Sequence, residues 1–370
     1  MVKKLLFFLF VLNTTVLFSQ NPTLSANATV SVFTCGKGAE LYSTFGHTAI
    51  RIKDPNNNLD VVYNYGAFDF RTENFYFKFV KGDLQYFIVA TSYDEFIYEY
   101  QYDNREVIEQ TLDFTLLQKQ QLFERLNASL FSAERSYTYK FIDKNCTTMV
   151  ADKINQTVGK PLIRKVDDKS ISYRTVLYPY FEDHFWYKLG INIIFGERTD
   201  RNAEQLFLPI ELLNSLDRAK VAGKPLVIKK ETLVQEQQAP IAFSFLNSIY
   251  CVALVLLLIV LSNRRVVFLS YLFILGLLGL FLSLVGLYSL HGEVLWNYNV
   301  LLFNPLYLIL PFLNRKYFTR MILGNALLLV IYLLFMINKP HLLLMLPFIL
   351  SVGYILGRLY YTKKLLPSVK

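Results

Sequence analysis

The stretch Lys144-Asn145-Cys146-Thr147-Thr148-Met149-Val150-Ala151-Asp152-Lys153-Ile154 sets a cysteine where a helix begins. A thiol there meets the exposed N–H groups of the first turn and the positive end of the helix dipole. Both stabilise thiolate, the reactive form. A histidine lies 99 residues upstream, His47 in Phe45-Gly46-His47-Thr48-Ala49-Ile50-Arg51-Ile52, at the start of a strand pattern. Histidine is the usual partner for such a thiol.

Outward from these two residues the chain reads as α+β. Residues 29–34 and 48–53 alternate as strands, and Asp54-Pro55-Asn56-Asn57-Asn58 is a turn cluster. Residues 61–65 return as a strand, so the pair forms a hairpin with His47 near one end. Residues 94–102 suit a helix and 106–114 a strand. Thr115 and Gln118 form a capping-box pattern at the head of a helix over 115–130, and 137–142 suit a strand. Residues 155–220 resist organisation. Their aromatics Tyr173, Tyr178, Tyr180, Phe181, Phe185 and Trp186 fit either a lipid-facing rim or ordinary core. Residues 231–240 are polar and read as a linker.

A nucleophilic cysteine needs a base, a group to orient the base, and donors for the oxyanion. Cys146 is the candidate thiol and His47 the base. Asn64 is the candidate orienter, because the hairpin brings it beside His47, with Asp60 as the alternative. The Cys146 N–H with Asn145 or Ser43 is a candidate oxyanion site. The structural alternative is a Cys35–Cys146 disulfide in an oxidising compartment, with His47 merely structural. Cys251 lies in an apolar run and reads as packing. No CxxC pair, HExxH, GxSxG, P-loop or other metal or cofactor motif is present, so neither a metal nor a cofactor is expected.

The chain has 370 residues, 53% hydrophobic, too apolar for one soluble domain of average composition. Residues 1–20, with Lys3 and Lys4 before an apolar stretch, read as a secretory signal. The formal charge of +9 is unevenly spread: residues 21–240 carry a net of −2, whereas residues 241–370 hold 10 basic side chains and one acid, Glu293. The basicity thus flanks apolar segments and argues against a nucleic-acid face. Five such segments follow Pro240, at 242–262, 266–290, 298–313, 318–337 and 341–359, the third interrupted by Pro305 and Pro311.

With residues 21–240 exported, nine of the ten basic residues of this half fall in cytoplasmic loops and only Lys339 lies outside. The positive-inside rule thus agrees with the signal peptide. The expected organisation is a signal at 1–20, an exported domain at 21–235 and an all-α five-helix integral membrane domain at 241–362. The outer loop His291-Gly292-Glu293-Val294-Leu295-Trp296-Asn297-Tyr298-Asn299 reads as an interfacial belt. Alternatively His291, Glu293 or Asn297 meets a lipid headgroup or docks the exported domain. Asn304 should face the bundle.

Gly46-His47-Thr48-Ala49-Ile50-Arg51 on a strand, then Asn145-Cys146 opening a helix, resembles the circularly permuted papain-like enzymes, in which histidine precedes cysteine. More of the chain resembles the Lnb family. The matching stretches are Cys35-Gly36 with Glu40-Leu41-Tyr42-Ser43, Phe45 to Arg51, Asn64-Tyr65-Gly66, Asn74-Phe75-Tyr76, Tyr102 with Arg105, and Asp143 with Asn145-Cys146-Thr147-Thr148. The trailing region, with Asn297, Asn299 and Asn304-Pro305-Leu306, is similar to that family's membrane domain.

The resemblance implies a lipoprotein N-acyltransferase of the bacterial inner membrane with its catalytic domain in the periplasm. Its pair would be Cys146 and His47, with Asn64 completing the site. Ser43, Tyr65, Asn145, His291 and Asn297 are the expected substrate-binding residues. The implied partners are a membrane phospholipid donor and a diacylated lipoprotein acceptor. Rival readings are a membrane-anchored peptidase or amidase, a phospholipase, and a non-catalytic disulfide-stapled envelope sensor.

Overall fold

A computed structural model describes residues 22–237 and 242–364; the expected signal segment at 1–20 lies outside these. The exported portion is built on one antiparallel sheet of seven strands. Strands β1 (Thr29–Cys35), β2 (His47–Asp54) and β3 (Leu59–Ala67) form a meander. Helix α1 (Phe75–Lys81) leads to β4 (Gln85–Ser92), and α2 (Tyr93–Tyr102) to β5 (Val107–Leu112). Helix α3 (Leu116–Phe131) precedes the short β6 (Ser136–Thr138) and α4 (Cys146–Val158). One-turn α5 (Tyr173–Val176), α6 (Phe185–Ile194) and α7 (Pro209–Arg218) follow. A two-residue hairpin, β7 (Lys220–Val221) and β8 (Lys224–Pro225), then precedes β9 (Val227–Val234). The strand order is β6-β4-β3-β2-β1-β5-β9.

Alternation along the strands divides the core. Val30, Val32, Ile50, Ile52, Tyr63, Tyr65 and Ile88 face α3 and α4, where Leu122, Leu126, Val150 and Ile154 meet them. Phe33, Cys35, Ala49 and Val62 face the other way, against Phe96 and Tyr100 of α2. The helical cap read in the sequence is present as expected: Thr115 and Gln118 form a reciprocal capping box. The hairpin register sets Ala49 opposite Asn64 and Cys35 opposite His47.

Two expectations are corrected, and one open reading is decided. Residues 231–234, expected to open a linker, instead complete the edge strand β9 bonded to β5, whose backbone pairing the polar side chains do not reveal in the sequence. The strand expected over 137–142 stops at Thr138, and the chain then folds into a tight turn closed by Lys140 and Lys144. Most of the aromatics at 173–181 are core: Phe181 is buried, with Tyr173, Tyr178 and Tyr180 packed around it beside Phe45, Phe141 and Phe207.

Beyond residue 241 the chain is helical. Helices α9 (Arg265–Tyr288), α10 (Arg315–Met336) and α11 (Leu342–Lys364) are long and apolar enough to cross a membrane. The first apolar segment yields a 13-residue helix, α8 (Ile249–Leu261), shorter than the 242–262 expected. The third is a pair of 3-10 turns, Tyr298–Leu301 and Pro305–Phe312, because two prolines remove backbone donors. Asn304 is buried and accepts from Leu306 N–H, as its polarity requires. Gly279 lets this segment press onto α9: a Cβ there would stand 1.5 Å from the Phe303 carbonyl.

The two ends of the bundle differ. Arg358 bonds Asn263, and Arg265 stacks on Phe318, at one end. At the other end lies a buried polar interface with the sheet domain. Arg174, fully buried, bonds Asp200 and Asn192, and Asp200 also holds Tyr298 and Lys339. Among the described residues, Arg265 and Arg358 thus lie at the end away from the domain, with Lys339 near it.

Candidate functional site

The site forms where the sheet end nearest the membrane bundle meets the first turn of α4. Asn145 caps the helix: its Oδ1 accepts from Thr148 N–H at 3.0 Å, while Thr148 Oγ1 accepts from Asn145 N–H at 2.9 Å. Its amide donates to the carbonyls of Phe141 and Phe207. Glu211, paired with Lys165 in the interior, accepts from the N–H groups of Phe207 and Leu208 and so fixes the far wall. Cys146 therefore sits at the first helical position on a fully bonded cap.

His47 opens β2, directly after Gly46. That glycine has φ +79, and a Cβ on it would stand 2.4 Å from the Cys35 carbonyl. His47 Nε2 lies 3.3 Å from Asn64 Oδ1. The Asn64 amide donates to Val62 O and Thr91 Oγ1, which turns its carbonyl oxygen toward the ring. Nε2 then carries the proton in the neutral ring, leaving Nδ1 as the basic nitrogen.

Cys146 is partly exposed and unbridged. Burial raises its thiol pKa, but the charge of the neighbouring His47, with Thr48 beside the sulfur, outweighs it and brings it down to about 7. The shift favours the thiolate form near neutral pH. Cys35 is also a free thiol, so no Cys35–Cys146 bridge exists; burial pushes its pKa up to about 12, opposed by a hydrogen bond with Tyr100.

The other expected residues divide sharply. Asp60, the alternative orienter, is corrected: it forms a two-pronged pair with Arg51 at 2.7 Å, opposite Lys53 and far along β3 from Asn64. Asn145 has its side chain fully engaged as a cap and is a positioning residue rather than a free donor. Ser43 spends its hydroxyl on Glu40 O and closes its own turn. Tyr65 is fully buried in the core. His291 bonds Phe79 O at 2.8 Å, and Asn297 donates to the carbonyls of Ile193 and Ile194; both dock the bundle to the domain.

Two residues were given no role in the site by the sequence reading. Gly66, at φ +99 on a bulge of β3, stands beside the sulfur residue: a Cβ there would meet only Cys146 Cβ at 3.7 Å and Tyr137 Oη at 3.9 Å. The Tyr137 hydroxyl is buried without a hydrogen-bond partner. A small space next to the thiol is thus faced by an unspent donor. Its signal was faint, a tyrosine in an aromatic strand pattern.

The loop preceding Cys146 is pinned to the membrane bundle. Lys140 donates to Leu290 O at 2.6 Å, and Arg198 links Asp143 at 2.5 Å to Glu293 at 3.6 Å. Among the described residues, no group of three His, Cys, Asp or Glu side chains is placed to hold a metal ion.

Residues 19–178 match the family model described as the Lnb N-terminal periplasmic domain. No curated protein and no solved structure matches the chain. The matched segment contains His47, Asn64, Tyr137 and Cys146, and the three long apolar helices lie beyond it. The chain thus carries a segment similar to that periplasmic domain, followed by three helices long and apolar enough to cross a membrane.

Proposed function

We propose that the protein is a thiol-dependent acyltransferase of the inner membrane. It moves an acyl chain from a phospholipid to the α-amine of the N-terminal diacylglyceryl-cysteine of lipoproteins. The observation that carries this reading is a cysteine with its pKa brought to about 7, beside an Asn64-oriented histidine, at a helix head whose preceding loop is bonded to the membrane bundle. Histidine on a strand before cysteine at a helix head also favours the circularly permuted papain-like arrangement. The short α8 and the broken segment 298–312 are read as completing a five-segment crossing.

The mechanism follows from the charges. The Cys146 thiolate attacks the ester carbonyl carbon, forming a C–S bond. The developing oxyanion is held by the Cys146 N–H and the Tyr137 hydroxyl. The ester C–O bond breaks, and the lysophospholipid alkoxide takes the proton from the His47 imidazolium. The neutral amine of the acceptor then attacks the thioester, forming C–N and expelling thiolate, while His47 takes the surplus proton. Donor and acceptor share one membrane plane, which supplies proximity without tight binding.

The test uses the full chain in proteoliposomes with acyl-labelled phospholipid and a diacylated lipopeptide. A hydroxylamine-sensitive label on the protein and an N-acylated peptide are expected. Neither should form with Cys146→Ala. A full-strength adduct on that variant overturns the nucleophile, and no adduct or acylated peptide with the native chain overturns the transferase.

A further inference from the structure

Helix α1 carries Phe75-Tyr76-Phe77-Lys78-Phe79-Val80-Lys81 and covers almost none of its outer side. Tyr76 and Phe77 are 77% and 80% exposed, and Phe70 and Tyr42 nearby are also open. A helix facing water presents polar residues outward, so this surface is unusual for an exported domain.

Its height is fixed by the bundle. Leu290 N–H donates to Lys81 O at 2.6 Å, Ser289 Oγ to Val80 O at 2.9 Å, and His291 Nε2 meets Phe79 O. Ser289 to His291 are the residues through which the membrane-crossing α9 ends. The same loop carries Trp296, 84% exposed, where an interfacial belt is expected. Helix α1 therefore lies at the level where chain leaves the hydrocarbon.

It also leads to the thiol. Phe75 and Phe70 pack on Phe68, Phe68 on Tyr86, and Tyr86 stacks on Tyr139 at 4.5 Å. Phe68 follows Gly66 by two residues, and Gly66 abuts Cys146.

We infer that α1 is an interfacial helix sunk into the outer face of the bilayer, and that its aromatic surface, continuous with Phe68 and Tyr86, receives the acyl chain of the donor phospholipid and guides its ester toward Cys146. The occupant is the lipid because the helix is bonded to the end of a membrane-crossing helix and is apolar where it faces away from the domain. Lys78 and Lys81 suit this depth, since long basic side chains reach from such a surface to headgroups. The bilayer contact stands independently of the chemistry; only the guiding role rests on the proposed acyl transfer.

The full chain is reconstituted in vesicles with both tryptophans replaced (Trp186→Phe, Trp296→Phe) and one reporter introduced. Phe77→Trp is compared with Leu117→Trp, which lies at the opposite end of the sheet, on exposed α3. Acyl-chain-brominated phospholipid should quench the reporter at 77 to roughly half its intensity, and that at 117 hardly at all, for a side chain about 5–10 Å into the interface. Equal quenching at the two positions overturns the inference, even where the native chain forms its adduct. In a second arm, Tyr76→Asp with Phe77→Asp should slow adduct formation from bilayer phospholipid roughly 10-fold or more. Alkylation of Cys146 by iodoacetamide should stay unchanged, which separates lost access from a damaged site. Unslowed adduct formation in that variant overturns the guiding role. Quenching at 77 with no adduct on the native chain leaves the bilayer contact standing and removes the acyl transfer.

Discussion

Cys35 and Cys146 flank the same histidine and have opposite fates. Cys35 ends β1 directly across from His47, yet it is sealed under α2 with Tyr100, and its pKa is pushed up to about 12. Cys146 comes from the other side of the sheet, at a helix head, and its pKa falls to about 7. Nearness to His47 along the strand is therefore not what matters. The reactive sulfur is the one that keeps partial exposure and has the charge of His47 beside it. The other is a small apolar side chain in a core.

The predictions press on that contrast. Cys146→Ala should lower acyl-adduct formation by roughly 10³-fold or more, whereas Cys35→Ala should leave the rate nearly intact. Cys35→Ala should instead cost about 1 kcal/mol of stability, read by thermal unfolding. An adduct that follows Cys35 would reverse the contrast.

His47→Ala should slow the reaction by roughly 10²- to 10⁴-fold. It should also move the pH midpoint of Cys146 alkylation. In the native chain the rate should rise through about pH 7, because thiolate forms as pH passes the lowered pKa. Without His47 the rise should shift upward toward the ordinary thiol range. An unmoved midpoint means that the imidazole is not what acidifies the thiol.

Tyr137→Phe should lower the maximal rate by roughly 10²-fold, the scale of one lost oxyanion donor. Neither the alkylation midpoint nor the lipid concentration at half-maximal rate should change, which separates loss of a donor from loss of packing. Asn64→Ala should cost the least, roughly 10-fold, by letting the His47 ring wander; Asn64→Gln should not restore it, because the longer amide cannot keep its bonds to Val62 and Thr91.

Much of the site was legible before any coordinates. The hairpin that sets Asn64 beside His47 came from strand alternation around Asp54-Pro55-Asn56-Asn57-Asn58, and the helix from the residues after Cys146. These signals are local, and local periodicity is what a chain displays openly. The sequence placed Gly66 in a motif and Tyr137 in a strand but gave neither a role, because that role depends on which strand end faces which helix head. Ser43 and Asn145 carried the right chemistry but spend their polar groups nearby, on Glu40 O and on the helix cap. The edge strand 227–234 hid because its side chains are polar and its bonding partner lies over 100 residues away.

The sequence by itself determined the division into an exported α+β part and an apolar helical part, the side on which basic loops collect, and a cysteine at a helix start with a histidine on a strand. Those are consequences of composition and short-range periodicity. Tertiary structure alone decided that Cys35 is buried and unbridged, that Asn64 rather than Asp60 meets the histidine, and that His291 and Asn297 hold the bundle to the domain. It also set the aromatic face of α1 at the end of α9. Each of those outcomes depends on groups distant in the chain competing for the same hydrogen bonds and the same space, which no reading of neighbours can resolve.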